Sequence, residues 1–154
     1  MFDTMAAAPG VGLAAPQVGV ALRVFVYNWT DEDDVLWRGT AINPELWITP
    51  TPVGDADEDE ESEGCLSIPG ERYALRRSPR STLRATELDG STFEITTDGW
   101  LARIFQHEFD HLDGILYSDR LDAASSKAIA KVMKKRGWGV PDQSWTPGID
   151  HLED

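Results

Sequence analysis

The chain has 154 residues, enough for one domain, and its 41% hydrophobic content is enough to build a core. Its 27 Asp and Glu against 14 Lys and Arg give a net charge of -13, which argues against a dedicated nucleic-acid binder or a protein that docks on anionic membranes. It has no run of about 18 apolar residues to span a bilayer, its first residues lack the cationic start of a leader, and its single cysteine excludes internal disulfides, so a cytoplasmic α+β domain is expected.

Residues 2–8 have helical composition, with Met5 and three alanines, and Pro9-Gly10 ends that helix. Residues 22–29, L-R-V-F-V-Y-N-W, are rich in β-branched and aromatic side chains and predict a strand. The acids at 31–34 form a turn. A second strand is predicted over 40–48. Pro44 cannot donate to a ladder, so this strand lies at an edge or is broken there. Residues 54–63 hold seven acids in ten positions and predict a solvated loop. Two further strands, 81–89 and 92–96, flank the hairpin signal Asp89-Gly90. A helix is predicted over 98–113, with Thr97 or Asp98 as N-cap and Gly114 at C′. Another covers 122–136, with cationic residues in its last turns and Gly137 after it. Residues 137–154, with Pro141, Pro147 and Gly148, read as an irregular tail.

Within the first long helix, residues 106–114 read Q-H-E-F-D-H-L-D-G. His107 and His111 are four residues apart, so on a helix they share a face about 6 Å apart along the axis. Two imidazoles so placed can reach one metal ion, with Glu108 positioned as a base for water. On a helical wheel Leu101, Ile104, Phe105 and Leu112 form an apolar arc, and His107, Glu108 and His111 fall within or beside it. Gln106, Asp110 and Asp113 fall opposite. Ionisable groups on a buried face need partners, and a metal would meet that need for the histidines. A downstream third ligand is not in place: the position six residues after His111 is Tyr117, and His151 lies in the tail.

Cys65 stands within E-G-C-L-S-I-P at 63–69. A lone cysteine is most often a small buried hydrophobe. Beside two histidines in want of a partner, it can instead complete three protein ligands and leave a fourth position for water. Residues 10–17 read G-V-G-L-A-A-P-Q. They fit neither a phosphate loop nor a dinucleotide fingerprint. On their own they read as a Gly/Ala turn, in which Gln17 could donate to a developing oxyanion.

Together, G-V-G-L-A-A-P-Q, E-G-C-L-S and Q-H-E-F-D-H-L-D-G resemble, in order, the three signature motifs of the peptide deformylase family. The stretch at 137–141, G-W-G-V-P, resembles the actinobacterial branch. The resemblance implies a single α+β catalytic domain over 1–154, with antiparallel or mixed sheets around a central metal-binding helix and a C-terminal helix. It implies that Cys65, His107 and His111 hold one divalent metal, Fe²⁺ by expectation, replaceable by Ni²⁺, Co²⁺ or Zn²⁺. Glu108 would take a proton from water and pass it to the leaving amine. Gln17 and the Leu66 backbone N–H would stabilise the oxyanion. Gly12 would pair with the substrate main chain, and Gly64 would run along it. Val11, Trp100, Arg103, Ile104 and His107 would line the methionine pocket, with Arg72 near the substrate. The implied reaction removes the N-terminal formyl group from nascent polypeptides, with release of formate.

Family members usually carry a strand and most of a helix before the first motif, and this chain is expected to begin near the end of that helix. The acidic stretch at 54–63 reads as an insertion that shades the cleft electrostatically. Two other readings compete: a metallopeptidase of another class, against which Tyr117 and Cys65 speak, and a deformylase-like binding protein without activity. The charge is uneven. Loops 31–34 and 54–63 hold 11 acids, and without them 16 acids face 14 bases, a balance of -2. Lys127, Lys131, Lys134, Lys135 and Arg136 make the last helix basic. A transient ribosome contact through that helix is expected, alongside ordinary compensation of its dipole.

Overall fold

The computed structural model describes residues 1–140 and 143–152. Pro141, the last residue of the 137–141 stretch, lies outside them. A short helix α1 (Phe2–Ala7) leads into strand β1 (Gly12–Ala14), and a single 3₁₀ turn follows at Ala15–Val18. Then come β2 (Val24–Thr30), β3 (Leu36–Ile48), β4 (Ser62–Cys65), β5 (Ile68–Ala74), β6 (Arg80–Thr86), β7 (Thr92–Asp98), α2 (Gly99–Leu112) and α3 (Ala123–Arg136). Every pairing is antiparallel. One sheet runs β1-β2-β3-β6-β7 and a second holds only β4 and β5.

Most predicted elements are present, and two differ. The segment with Asn43-Pro44 is not an edge; the other expectation, a break in the ladder at the proline, is the one present. The segment begins at Leu36 and lies between β2 and β6. The missing Pro44 donor is absorbed by a bulge: the register slips one residue between Ile42 and Glu45, and Asn43 turns left-handed at φ 47°. Residues 10–17, read as a turn, instead supply β1 and the 3₁₀ turn, so this stretch is fastened to the sheet edge. The hairpin at Gly90 and the left-handed glycines after the two long helices, Gly114 and Gly137, are as expected. The Asp122 carboxylate accepts from the Ala124 and Ser125 N–H groups.

Helix α2 lies between the two sheets. Leu101, Ile104 and Phe105 pack on Phe25, Tyr27, Ala41, Leu83 and Ala85 of the large sheet. Phe105 is fully buried and meets Tyr27 edge-on at 5.1 Å. A second core holds Cys65, Ile68, Leu75, Tyr117, Leu121 and Ile129, and so joins the small sheet to α3. The wheel placed Gln106 and Asp110 opposite the apolar arc. They are not at the surface: both are at least 93% buried, because the opposite arc faces this second layer. No helix among the described residues is long and apolar enough to cross a membrane.

Truncating Phe105 to Ala is expected to cost about 4 kcal/mol, because the ring leaves a cavity under the helix. Urea denaturation read by circular dichroism measures this, and a loss under about 1 kcal/mol would mean the helix is not seated through this ring.

Candidate metal centre and substrate cleft

Three separate stretches meet over α2. Cys65 ends β4, His107 and His111 project from successive turns of α2, and Gln17 comes from the turn after β1. The ligand atoms of Cys65, His107 and His111 all lie within 4.8 Å of one another, and all three residues are buried at this site. Cys65 Sγ is 3.4 Å from His111 Nε2, and the two imidazole rings are 4.9 Å apart and nearly perpendicular. The sulfur also accepts from the Ser67 N–H at 3.4 Å and from the Gln17 amide at 3.8 Å. The other end of Gln17 is pinned, since its Oε1 accepts from the Ala14 N–H. Its amide donors are thereby turned toward the sulfur and Ser67.

The electrostatics suit a cation. Burial pushes the Cys65 thiol up, but hydrogen bonds from His107 and His111 more than reverse this and bring it to about 5. Burial pulls His107 down, but Cys65 and Glu63 override it and raise it to about 10. The cluster therefore holds a thiolate against imidazolium charge, which is the donor set that a divalent ion takes over by displacing protons. One thiolate and two imidazoles leave a fourth position open, as in catalytic rather than structural sites.

Glu63 orients the first histidine. His107 Nδ1–H donates to Glu63 Oε2 at 2.7 Å, so the ring's other nitrogen faces the cluster. Arg77 grips both oxygens of Glu63, at 2.8 and 2.9 Å, and Arg103 adds a bond at 2.9 Å. Burial pushes the Glu63 carboxyl up, yet His107 and Arg77 hold it at about 2. Arg77 also reaches Asp110, which Arg120 grips from outside. Glu61 pairs with Arg76 and Arg103. These contacts correct two expectations. The stretch 54–63 is not solvated throughout, since Glu61 and Glu63 at its end are tied to buried arginines. Arg103 lines the cleft, but its guanidinium is committed to Glu63, Glu61 and the Leu75 carbonyl.

Glu108 stands apart from this network. It is 4% exposed, and its Oε2 has no hydrogen-bond partner among the described residues. Burial raises its carboxyl to about 7, against the pull of His107 and His111. Its carboxylate lies against Gly12, where an added Cβ would sit 2.6 Å from Glu108 Cδ. Gly12 is thus a matter of space, not of backbone freedom.

The residues expected at the substrate border one cavity of about 450 Å³. Val11, Gly12, Gln17, Gly64, Leu66, Arg72, Trp100, Ile104, His107 and Glu108 all line it, with Arg103 and Cys65. His111 touches Cys65 but is outside the lining. Arg72 does not point its charge freely into the cavity, for it donates to the Ser62 carbonyl at 2.8 Å. Tyr117 is no ligand: its hydroxyl donates to the Glu71 carbonyl and its ring stacks 6.1 Å from His107. The sequence reading assigned no role to Glu63, Arg77, Asp110 or Ser67. Glu63 had a signal, because residues two apart on a strand share a face and Cys65 is buried. Arg77 had none.

Fold and site define a hydrolase of the class built on a His-Glu-x-x-His helix with a cysteine from a neighbouring strand. The sequence model of polypeptide deformylases matches residues 1–127. A peptide deformylase of Tropheryma whipplei is 46% identical across 96% of this chain and 78% of its own length. One of Mycolicibacterium smegmatis is 47% identical across 96% and 76%. Among solved structures, a peptide deformylase from Synechococcus elongatus in complex with actinonin superposes with a TM-score of 0.74 at 34% identity, over 91% of this chain and 72% of that one. One from Legionella pneumophila gives 0.70 at 40% identity, over 89% and 76%. The chain belongs to the polypeptide deformylase family and is a hydrolase that removes the N-terminal formyl group from nascent polypeptides.

Gly12→Ala should move the Glu108 carboxyl while leaving Cys65, His107 and His111 in place. The expected result is a loss of about 10²-fold in kcat/KM at unchanged metal stoichiometry. Turnover at the native level would show that the carboxyl has room to spare.

Proposed function

We propose that Cys65, His107 and His111 hold the catalytic metal and that Glu108 is the general base and acid of deformylation. The observation that carries this reading is a buried carboxyl oxygen with no hydrogen-bond partner among the described residues, on a glutamate that lines the cavity beside a compact thiolate–imidazole cluster. A divalent ion, Fe²⁺ by our reading with Ni²⁺, Co²⁺ or Zn²⁺ as substitutes, supplies Lewis acidity and brings the pKa of water toward about 7. The soft sulfur with two imidazoles suits all four ions.

The protein groups do the rest. Glu108 titrates near neutrality, so its Oε2 can accept a proton from water and return it to the leaving amine. The Gln17 amide, held by Ala14, and the Leu66 N–H are the donors to the oxyanion, each worth about 3 kcal/mol when preorganised. Glu63 fixes the His107 ring, and Arg77 and Arg103 fix Glu63. Gly12 and Gly64 offer main chain to the peptide. Val11, Trp100 and Ile104 form the apolar pocket for methionine, with His107 and the Arg103 stem beside them. Arg72 stands near the emerging peptide. A nascent-chain substrate supports our reading of the enzyme as cytoplasmic. The exposed Lys127, Lys131, Lys134 and Lys135 on α3 would meet the ribosome. Arg136 is less available, because it is engaged with β5.

Metal-loaded protein incubated with formyl-Met-Ala-Ser should release formate and leave the peptide bonds intact. Glu108→Ala should keep its metal and lose about 10²–10⁴-fold in kcat; surviving activity would remove Glu108 from the base role.

Reversal of Lys127, Lys131 and Lys134 to Glu should lower co-sedimentation with ribosomes without changing turnover of formyl-Met-Ala-Ser. Unaltered co-sedimentation would exclude α3 as the contact.

A further inference from the structure

The segment after α3 returns to the cleft. Trp138 packs against the second core, and Arg136 donates to the Pro69 carbonyl at 3.3 Å and pairs with Glu71 at 3.4 Å. These contacts fasten the end of α3 to β5, whose residues form one rim of the cavity. Farther on, the Trp145 indole N–H donates to the Leu66 carbonyl at 2.8 Å. A tight turn then doubles the chain back: the Ile149 and Asp150 N–H groups both donate to the Thr146 carbonyl, and Gly148 takes a left-handed φ of 74°. Trp145 and Leu152 are half-buried, and both line the cavity that holds Glu108.

The lining falls into two groups linked by contacts of their own. In one, α2 and β2 bring Trp100 and Trp29 together, with ring centres 6.1 Å apart and Arg103 over the Trp100 ring. In the other, Leu66, the start of β5 and the tail are joined through Trp145 and Arg136. Given the deformylase reading, the methionine side chain occupies the α2 group, and the peptide that follows leaves past the other.

We infer that Trp145, with Leu152 on the same cavity, is the wall that meets the side chains following the formyl-methionine and selects apolar ones there. The indole N–H is already satisfied by Leu66, so what the ring offers a peptide is carbon surface. The same bond fixes the ring before substrate arrives, which lowers the entropy cost of contact. Leu152 adds a side chain without polar atoms.

The test compares three substrates on the metal-loaded full chain: formyl-methionine amide, formyl-Met-Leu-Leu and formyl-Met-Ser-Ser. Trp145→Ala should raise KM about tenfold for formyl-Met-Leu-Leu alone, as loss of a tryptophan anchor does. KM for the other two, and kcat for all three, should stay within about twofold. An equal rise for all three, no change, or a fall in KM would overturn the inference, the last by making the tail an obstacle to substrate. Thermal unfolding by circular dichroism checks that the variant folds. If it does not, Trp145→Phe and Leu152→Ser carry the same comparison, each with a rise of about threefold confined to formyl-Met-Leu-Leu. Failure of the unsubstituted chain to release formate from formyl-Met-Ser-Ser would bring down the deformylase reading itself. Turnover of that peptide with unmoved KM ratios would bring down only the wall.

Discussion

The carboxylate of Glu63 is the point at which the pieces of this molecule are joined. It is 3% exposed, yet it remains ionised, because two guanidiniums and an imidazole surround it. Taking such charges out of water is expensive, and mutual attraction repays that only when every lone pair has a donor. Here the geometry meets the condition, and it does so with partners from different elements: Arg77 from the segment after β5, and Arg103 and His107 from α2. Removal of any one would leave buried charge uncompensated, at a cost of about 3–5 kcal/mol in comparable cases. The same contacts align the strand that carries Cys65 with the helix that carries the histidines. Structural and chemical requirements are thus met by one set of bonds.

A helix enclosed on both sides makes this arrangement workable. Through Leu101, Ile104 and Phe105 α2 rests on a five-stranded antiparallel sheet, which sets its height and rotation. Its other side meets the small sheet through charged and polar groups rather than apolar ones. The result is two interfaces of different character on one element. The apolar side supplies cohesion, and the polar side supplies orientation, because hydrogen bonds specify angles that hydrophobic contact does not.

What the sequence disclosed follows the range of the interactions involved. The gathering of Cys65, His107 and His111 was legible because His107, Glu108 and His111 are near neighbours on one helix, and Cys65 was the only cysteine. The end of α3 at Gly137 and the Asp89-Gly90 hairpin were legible for the same local reason. The enclosure of Gln106 and Asp110 was not, since a helical wheel distinguishes two faces but cannot say that a second layer covers the polar one. Glu61 and Glu63 were lost in an acidic run whose composition pointed to solvent, and only the fold brings Arg76, Arg77 and Arg103 to them. β1 was hidden because three residues of Gly, Leu and Ala carry almost no strand preference. Its pairing with β2 comes from position at the sheet edge. The proline in β3 was read correctly as a fault in the ladder, but its repair by a bulge depends on Asn43 tolerating a left-handed backbone.

The donors of the site come from the neighbourhoods of residues 17, 65 and 107–111, three stretches that are remote along the chain. Such a site does not exist in any fragment, nor in a partly folded chain that has not yet docked β4 onto α2. Occupancy by a cation and completion of the fold are therefore linked equilibria: whatever binds only the finished arrangement stabilises the whole by RT ln(1 + [L]/Kd). A chain that has not assembled these stretches lacks the ligand set, and resistance to unfolding would then depend on the free concentration of an ion that the finished cluster binds.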